Sequence, residues 1–295
     1  MDFKEELKKY VDVINLELEK YNRDKNVPEA TLNESMEYSL FAGGKRLRPT
    51  LILATYKLFR DNYEVCLPFA VAMEMVHNFS LIHDDLPGID NDDFRHGKPT
   101  NHKKFNESTA ILAGDALLNN AYIVISNTIL NSPNELRIKQ LNVFKEFAED
   151  VDRMIAGEYV DTEFEGKEIS KEYLEYMHVN KTGALLKNCV RTGAILGGAS
   201  KEDLEKLTCY AKKIGLTFQI KDDILSEIGD PEKLGKPVGN DKERGKCTYV
   251  TKYGLENAKE MLERITQEAV EIIETFGEKG EFLKELALYI ANREK

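Results

Sequence analysis

Apolar residues recur along most of the chain at the spacing of amphipathic α-helices. Near the start, Leu7, Val11, Ile14 and Leu18 fall on one helical stripe. The same periodicity predicts further helices near residues 29–42, 48–60, 64–84, 106–130, 134–157, 171–197, 201–226, 252–276 and 279–292. Alternating patterns bounded by hairpin turns are absent from the sequence, which disfavours a β-sheet. Without linkers or short repeats, the pattern predicts an all-α protein with one domain over residues 1–295.

Composition and charge narrow the possible partners. The 295 residues are 42% hydrophobic and 32% charged, as in an ordinary globular protein. Acidic residues outnumber basic ones by 52 to 41, and the net charge of −11 disfavours nucleic acid or an anionic membrane as the main partner. Any anionic ligand must therefore be bound by local clusters of lysine and arginine, or through a metal ion.

The start of the chain and its cysteines indicate the compartment. The segment MDFKEELKKYVDVINLELEKY is an amphipathic helix and lacks the pattern of a signal peptide. No apolar run approaches the roughly 20 residues needed to span a bilayer. The four cysteines are scattered, without spacing suited to zinc. We therefore expect reduced thiols in a cytoplasmic protein without membrane insertion.

Aspartates accumulate where the predicted helix over 64–84 ends. Asp84 and Asp85 close its apolar stretch, and Asp90 follows in the next loop with two further aspartates. Carboxylates are unfavourable at a helix C-terminus because the helix dipole repels anions there. The plain alternative is an acidic, solvated loop. So many carboxylates in that position need cations, however, and oxygen ligands suit hard divalent ions, so the segment predicts a metal site.

A second pair, Asp222 and Asp223, follows the apolar run GLTFQI in another predicted helix. Gln219 lies one helical turn before Asp222. The alternative is a helix whose aspartates merely pair with Lys221 or Lys233. If the two aspartate pairs face each other across the interior of a helical bundle, they can hold divalent cations on a polyphosphate.

Basic residues near glycines are the candidates for binding an anion. The segment FAGGKRLRP places Lys45, Arg46 and Arg48 directly after a glycine pair that includes Gly44. Glycines let the backbone approach an anion, and the arginine fork matches phosphate oxygens. The spacing is not that of a Walker loop, which disfavours a nucleotide triphosphate, and the segment alone could be a capped helix start. Further lysines near glycine are Lys181, Lys236 and Lys246.

Taken together, these segments resemble the trans-type polyprenyl diphosphate synthases over nearly the whole chain. The matching segments, in order, are GGKRLRP, the DD-x4-D motif at 84–90, GKPTNH, GDALL, KTGALL, FQIKDD and the lysines of LGKP and GKCTY. The four-residue spacer between Asp85 and Asp90 is similar to that of the bacterial farnesyl/geranylgeranyl branch. The resemblance implies a homodimer of single-domain helical bundles of the isoprenoid synthase type, in which two aspartate-rich motifs face each other across a central cavity.

The resemblance also implies an activity, the Mg²⁺-dependent head-to-tail (1′-4) condensation of isopentenyl diphosphate with dimethylallyl or geranyl diphosphate. Three Mg²⁺ ions, for which Mn²⁺ can substitute, would join the allylic diphosphate to Asp84 and Asp90, with Asp85 in support, and to Asp222. The implied catalytic residues are Asp84, Asp85, Lys181, Thr182, Gln219, Asp222 and Lys236. The implied substrate-binding residues are Gly44, Lys45, Arg48, His77, Arg95, His96, Lys181, Thr182, Gln219, Lys236 and Lys246.

The implied roles differ between the two substrates. Arg95, Lys181 and Lys236 would grip the allylic diphosphate, Thr182 and Gln219 would stabilise the allylic cation, and Lys45, Arg48 and His77 would bind isopentenyl diphosphate. Diphosphate becomes a good leaving group once metal ions and cationic side chains neutralise its developing charge. This chemistry needs no covalent enzyme intermediate.

Two positions depart from the family's pattern. The second motif usually carries a third aspartate at the position of Ser226, so we expect the third metal ion to bind more weakly here. The family usually has an arginine at the position of His96, where it helps to bind isopentenyl diphosphate. Histidine is mostly neutral at pH 7 and lacks the bidentate fork, which predicts a raised KM for that substrate.

Product length is expected to depend on the helix that carries Asp84. Phe79 and Ser80 lie five and four residues before Asp84, and an aromatic residue followed by a small one there resembles the farnesyl (C15) pattern. Phe79 could instead be an ordinary core residue. The alternatives to a C15 synthase are a geranylgeranyl (C20) synthase, a non-catalytic regulatory subunit and, least favoured, a terpene cyclase, in which GGKRLRP and His77 would have no second diphosphate to bind.

Overall fold

The computed structural model describes residues 2–167, 169–229 and 246–294, and most of these residues are helical. In chain order the α-helices are α1 (Phe3–Glu19), α2 (Ala30–Leu40), α3 (Leu47–Lys57), α4 (Leu67–Asp84), α5 (Asn101–Lys104), α6 (Glu107–Asn131), α7 (Asn134–Glu163), α8 (Lys171–His178), α9 (Ala184–Gly197), α10 (Lys201–Ile228), α11 (Tyr249–Tyr253), α12 (Leu255–Glu274) and α13 (Glu281–Asn292). A π-helical turn, Val179–Gly183, joins α8 to α9, and a 3₁₀ turn, Gly277–Gly280, precedes α13. Every helix predicted from periodicity is confirmed, with differences at the ends.

The expectation that the chain lacks a sheet is wrong in one small place. Strand β1 (Phe94–Arg95) pairs antiparallel with β2 (Lys98–Pro99), and His96 and Gly97 turn between them with φ of +52° and +74°. Two successive residues with positive φ are typical of a type I′ hairpin turn. Strands of two residues are too short to produce an alternating pattern, so periodicity could not reveal them. The hairpin brings Arg95 to the end of α4.

Helix α4 lies at the centre of the bundle, in contact with α1, α2, α3, α6 and α9. Its side chains from Phe69 to Val76 are all buried, as expected for a helix that packs on every side. They include Glu74, which accepts from Arg46 at 2.5 Å. Arg46 also donates to the Leu40 carbonyl at 2.6 Å. Arg46 therefore anchors the start of α3 to α4 and is not available to bind an anion.

Helix α6 bears on the expectation that no segment of the chain is apolar enough to span a bilayer. It is the one helix in the described part of the chain that is long and apolar enough, by length and composition alone, to cross a membrane. Its polar residues are mostly uncharged, so its average hydropathy is high although it contains no unbroken apolar run. It packs along α4 and contacts α2, α5 and α7, yet only 39% of its apolar window is buried. Leu112, Ile123 and Leu130 lie exposed along one stripe of this helix.

Candidate active site

The first aspartate pair lies at the end of α4, as the sequence predicts. Asp84 is the last residue of the helix and Asp85 caps it. The following loop folds back, because the Asp90 N–H donates to the Asp84 carbonyl at 2.8 Å. Asp85 is 3% exposed, and each of its oxygens accepts from Arg95 Nε at 2.9 Å. Asp85 and Arg95 thus neutralise each other at one wall of the site.

The Asp84 carboxyl lies in an acidic environment. Burial, with Glu158 and Asp90 adding to it, raises the pKa of Asp84 to about 8 against the opposing effect of Lys181 and Arg95. Burial also raises the pKa of Glu158. A cation among these carboxylates would relieve their repulsion, and an all-oxygen donor set suits a hard divalent ion such as Mg²⁺.

The described residues do not by themselves complete a metal site. Among the residues that the structure describes, no three carboxylate, histidine or cysteine side chains are grouped closely enough to hold a metal ion. A cation bound by one or two of the aspartates would need further oxygen ligands, which a diphosphate can supply. The donor set therefore fits a cation that arrives together with its anionic ligand.

Two lysines from distant segments enter the same interior. Lys181 donates to Glu158 at 2.9 Å and to Asp161 at 2.5 Å. Lys246 donates to Asp90 at 2.9 Å and lies 3.8 Å from Asp161. Burial lowers the pKa of each lysine, but the neighbouring carboxylates outweigh burial and raise both values. Both predicted lysines are therefore charged and lie beside the first motif.

The π-helical turn places Lys181 and Thr182. Such turns are rare and frequently occur at functional sites, where they re-aim the side chains of a helix. Gly157 on α7 allows close contact with this turn, because a Cβ at position 157 would lie 2.2 Å from the Lys181 backbone nitrogen. Any side chain at position 157 would displace the turn, and Lys181 with it.

The second aspartate pair lies inside α10, which continues to Ile228, and not at a helix end like the first pair. The side chain of Asp222 is 44% exposed and accepts from Arg293 at 2.6 Å. The Arg293 guanidinium also stacks on the Phe218 ring, with its central carbon 4.0 Å from the ring centroid. Asp222 thus already has a cationic partner, from the segment that follows α13.

Asp223 points into the fold and is 4% exposed. Its Oδ1 accepts from Gln219 Nε2 at 2.8 Å, and its Oδ2 accepts from the Tyr249 N–H at 2.7 Å. The Thr182 hydroxyl donates to Gln219 Oε1 at 2.9 Å. The structure therefore brings the predicted residues Thr182 and Gln219 into direct contact, one on the π turn and one on α10.

Arg48 relates the two motifs to each other. Its guanidinium, on α3, is influenced by the charges of both Asp84 and Asp222. Contacts also join the motifs, because Lys181 and Lys246 both approach Asp161 and Thr182 bonds to Gln219. Arg48 Nη1 lies 3.3 Å from His77 Nε2. Burial lowers the pKa of Arg48, and burial together with Arg48 lowers the pKa of His77 well below its usual value. Arg48 Nε and His77 Nδ1 are buried without a partner among the described residues, so Arg48 Nε can donate one more hydrogen bond and His77 Nδ1 can form one.

The glycine-rich loop before α3 lies against the hairpin. Gly43 and Gly44 have φ of +118° and +107°, a conformation that favours glycine. A Cβ at Gly44 would lie 3.7 Å from His96 Nε2. Burial, with Arg95 and Lys45 among the nearby cations, lowers the pKa of His96. His96 is therefore neutral at pH 7 in a cationic environment.

Phe79 is 7% exposed and packs edge-on against His83, with ring centroids 4.9 Å apart. His83 Nε2 lies 3.0 Å from the Ile111 carbonyl oxygen, so this pair of rings lies between α4 and α6. Ser80 is half-buried, and its hydroxyl donates to the His77 carbonyl at 3.0 Å. The aromatic side chain and not the serine therefore fills the space toward α6.

Of two cavities formed by the described residues, one lies away from this site and one borders it. One cavity of about 520 Å³ lies between α4, α6 and the segment around Tyr21, and neither aspartate motif lines it. A much smaller cavity is lined in part by Asp85, Arg95 and His96. Between the motifs, ion pairs of lysine with carboxylates occupy the interior where the sequence resemblance implies a central cavity.

Sequence reasoning missed three residues of this interior. Glu158 and Asp161 form an i, i+3 pair on α7, and two acidic residues beside a glycine on a half-buried helix were a usable signal. Arg293 carried no such signal, because it looks like part of an ordinary charged tail. Lys236 lies outside the described residues, so its role stays a prediction.

Fold and site together define a class of protein: an all-helical bundle in which two aspartate motifs, more than a hundred residues apart in sequence, border one interior with lysines and arginines. The sequence profile of the polyprenyl synthetase family matches residues 29–285. The chain belongs to the polyprenyl synthetase family, whose members generally depend on a divalent metal.

Individual relatives and a solved structure agree with this assignment. The chain is 42% identical over 284 residues to the farnesyl diphosphate synthase of Micrococcus luteus, a match that covers 96% of this chain and 97% of the relative. It is 43% identical over 276 residues to the geranylgeranyl diphosphate synthase of Cyanophora paradoxa, covering 92% and 91%. An FPP/GFPP synthase from Zymomonas mobilis superimposes with a TM-score of 0.85 at 32% identity, covering 98% and 99%. The predicted isoprenoid synthase fold is confirmed.

Proposed function

We propose that this protein is a prenyltransferase that condenses isopentenyl diphosphate with dimethylallyl or geranyl diphosphate, head to tail (1′-4), to form farnesyl diphosphate. The observation that carries the proposal is the arrangement of two aspartate motifs and two half-buried, charged lysines around one interior. Relatives named farnesyl and geranylgeranyl diphosphate synthase support a short-chain prenyl diphosphate as the product. We further propose that the chain forms one domain over residues 1–295.

Mg²⁺ is the proposed cofactor, with three ions expected when diphosphate is bound. Asp84 and Asp90, with Asp85 in support, would hold two ions on one wall, and Asp222 would hold the third on the other. When bound, the ions neutralise the charge that develops on the leaving diphosphate. The raised pKa of Asp84 supports this assignment, because burial and the nearby carboxylates disfavour its charged form and a bound cation would favour it.

The cationic side chains are expected to change partners when substrate binds. Lys181, Lys246 and Arg95 each bond to a carboxylate of the site. With metal ions held by Asp90 and Asp85, Lys246 and Arg95 would become available for the diphosphate oxygens. Lys181 would reach those oxygens from beside Glu158 and Asp161, which are not proposed metal ligands. Thr182 and Gln219 would offer oxygen dipoles to the allylic cation.

Isopentenyl diphosphate would bind at the glycine-rich loop and the start of α3. Gly44 lets the backbone approach a phosphate, and Lys45 and Arg48 supply positive charge. The buried nitrogens of Arg48 and His77 that lack a partner among the described residues support this subsite. His96, beside the loop, would add a neutral contact only.

Incubation with Mg²⁺, dimethylallyl diphosphate and labelled isopentenyl diphosphate, followed by chromatography of the dephosphorylated products, tests the function. We expect a C15 alcohol as the main product and no product with excess chelator. A C20 main product would indicate a geranylgeranyl diphosphate synthase. No elongation of either allylic substrate would indicate a regulatory subunit, and loss of diphosphate without uptake of label would indicate a terpene cyclase.

We propose that Phe79 limits the length of the product. Phe79→Ala should shift the main product to C20 or longer, at a cost of about 3–5 kcal/mol in stability if the ring is well packed. Phe69→Ala is the matched control, because Phe69 lies on the same helix and is 1% exposed. It should lower stability comparably and leave C15 as the product. A folded Phe79→Ala protein that still stops at C15 would exclude Phe79 as the limit.

We also propose a homodimer formed through the exposed apolar stripe of α6. Leu112, Ile123 and Leu130 are 56%, 44% and 70% exposed, and aligned apolar residues of this kind are typical of a protein–protein interface. Leu130→Glu should convert the dimer to a monomer in sedimentation velocity experiments, because it places a charge in the interface. Leu16→Glu, on α1 and 63% exposed, is the control and should leave the dimer intact. A monomeric wild type would contradict the proposal.

We propose a cytoplasmic location. All four cysteines are free thiols, and Cys66 and Cys189 are buried. Unpaired thiols are typical of reducing compartments. The protein is expected in the soluble fraction of lysed cells, and recovery in the membrane fraction would contradict this.

A further inference from the structure

The two aspartates of the second motif have different surroundings and cannot share one role. Asp222 is 44% exposed and bonds to Arg293, whereas Asp223 is 4% exposed. Successive residues of a helix point about 100° apart, so the two carboxylates face different neighbours. Among the described neighbours of Asp223 are Gln219 Nε2, at 2.8 Å, and the Tyr249 N–H, at 2.7 Å.

Asp223 determines which way the amide of Gln219 points. An ionised carboxylate only accepts hydrogen bonds, so the amide NH₂ must face it and the amide oxygen must face away. The Thr182 hydroxyl, 2.9 Å from Gln219 Oε1, can donate or accept. His178 lies beside Gln219, and burial lowers its pKa to about 4, so its neutral ring can also donate or accept. Among these described neighbours, only Asp223 fixes which way the Gln219 side-chain amide points.

We propose that Asp223 is a positioning residue that holds the Gln219 amide with its oxygen toward Thr182 and the allylic substrate. This inference rests on the proposed prenyl transfer, in which positive charge develops on the allylic carbon as diphosphate leaves. The amide oxygen is the negative end of its dipole and stabilises that charge, whereas a reversed amide would present N–H groups and oppose it. Through Tyr249, three residues after Lys246, the same carboxylate also helps to place that lysine.

Asp223→Asn tests the assignment, because asparagine has one oxygen for two donors. If that oxygen stays with the Tyr249 N–H, the new NH₂ faces Gln219, whose amide must then reverse. We expect kcat to fall by about 10²-fold, the usual effect of losing one preorganised dipole, with little change in the KM of either diphosphate. Asp222→Asn is the control. It should weaken Mg²⁺ binding, measured by calorimetry with inorganic diphosphate present, whereas Asp223→Asn should not.

The double variant Gln219→Glu/Asp223→Asn should restore the arrangement. The carboxylate at position 219 then accepts from the amide at position 223 and from Thr182, and the charge of the site is that of the wild type. Every donor again meets an acceptor, so this variant remains informative if Asp223→Asn fails to fold. We expect it to recover most of the lost kcat. A double variant no better than Asp223→Asn would overturn the proposal, and so would an Asp223→Asn protein with native kcat and weakened Mg²⁺ binding.

A readout independent of turnover separates this inference from the proposed function. The Gln219 side-chain amide can be assigned in ¹⁵N NMR spectra by comparison with Gln219→Leu. In the wild type it should exchange slowly with solvent, because it bonds to a buried carboxylate, and Asp223→Asn should remove this protection. An amide signal unchanged by Asp223→Asn would overturn the orientation. Wild-type protein that shows the protected amide but forms no prenyl product would overturn the proposed function instead.

Discussion

The two aspartate motifs look alike in sequence but differ in their electrostatic state. Around the first, burial and the carboxylates of Glu158 and Asp90 raise the pKa of Asp84 to about 8. Around the second, Asp222 is 44% exposed and paired with Arg293, and Asp223 is bonded within the fold. In the first motif Arg95 and Lys246 pair with Asp85 and Asp90, but Asp84 stays buried beside the carboxylates of Glu158 and Asp90. In the second motif both aspartates bond to partners within the protein.

This difference shows that an aspartate pair does not by itself define a metal site, because the surroundings decide how much a cation stabilises it. A cation at the first motif relieves repulsion and releases a proton. A cation at the second motif must first displace Arg293 from Asp222. We therefore expect Mg²⁺ to occupy the first motif at lower concentration than the second.

The largest expected effect comes from removing one aspartate from each motif. Asp84→Ala should lower kcat by roughly 10³-fold or more, because metal-based stabilisation is worth several kcal/mol and each 1.36 kcal/mol is tenfold. With a chelator present, it should raise Tm, since one repelling carboxylate is gone. Asp222→Ala should lower turnover too, but it should lower Tm, because Arg293, 8% exposed, loses its partner. If Asp84→Ala and Asp222→Ala changed Tm in the same direction, the proposed electrostatic difference between the two motifs would be contradicted.

The hairpin that brings Arg95 to the first motif offers the next test. His96→Arg should lower the KM for isopentenyl diphosphate by roughly ten- to a hundredfold, because a charge-assisted contact is worth about 1.5–3 kcal/mol. The KM for the allylic substrate should not change. Position 96 has φ of +52°, so the arginine carries a backbone cost and Tm should fall slightly. A shift in the allylic KM instead would place this position in the other subsite.

Arg293→Ala should remove the cationic partner of Asp222, so that Mg²⁺ binds the second motif more easily. Without the competing guanidinium, the Mg²⁺ concentration for half-maximal activity should fall about two- to fivefold, the range expected for a partly exposed ion pair. Arg293→Lys is the control, because it keeps the charge while losing the planar stack on Phe218. An increased Mg²⁺ requirement in Arg293→Ala would mean that Arg293 assists metal binding.

Ser226→Asp should increase the affinity of the second motif for Mg²⁺ by adding a carboxylate ligand. Position 226 lies one turn after Asp222 on α10, so a carboxylate there faces the same side. The Mg²⁺ requirement should fall by less than in Arg293→Ala, because the added charge also repels Asp222. Ser226→Asn provides the same bulk without the charge and should leave the titration unchanged. If Ser226→Asp also leaves it unchanged, Asp222 suffices for the third ion.

The smallest expected effect is a dependence of stability on pH. The pKa of Asp84 is raised from 3.8 to about 8, so the folded state loses stability as pH rises toward 8. With a chelator present, the excess of Tm in Asp84→Asn over wild type should grow by a few degrees between pH 7 and 8, where about 1 kcal/mol of stability is lost and each 1 kcal/mol shifts Tm by about 2–4 °C. Scanning calorimetry at several pH values measures it.

Asp161→Asn is the control of opposite sign for this pH series. Burial raises the pKa of Asp161, but Lys181 and Lys246 outweigh burial and lower it. This carboxylate therefore stabilises the fold above its ordinary pKa, and its loss should lower Tm at neutral pH. If the Tm difference between Asp84→Asn and wild type does not grow with pH, the proposed repulsion around Asp84 is contradicted.

The sequence was sufficient to predict the helices and the position of the first motif. Burial of long amphipathic segments imposes a period that the chain displays, and the helix dipole explains why aspartates at the end of α4 need cations. The resemblance to a family then predicted Lys181, Thr182 and Gln219, whose contacts bring them to the site.

What could not be predicted depends on contacts between distant segments. Lys246 and Asp90 are 156 residues apart in sequence, and no local pattern joins them. The π turn around Lys181 adds one residue to a helix, which is too short a change to alter its periodicity. Arg293 reaches Asp222 from the segment after α13, and nothing in its neighbours in sequence distinguishes it from a solvated charge.

The pairing of interior lysines with carboxylates has a consequence for the selectivity of the site. An anion that enters alone must separate Lys181 from Asp161, and Lys246 from Asp90, and would then face uncompensated carboxylates. A cation that enters alone finds too few ligands among the residues that the structure describes. A diphosphate and a divalent cation that bind together compensate both the lysines and the carboxylates. The site should therefore bind the metal–diphosphate complex in preference to either ion alone. Free phosphate, abundant in any cell, should therefore be a poor inhibitor.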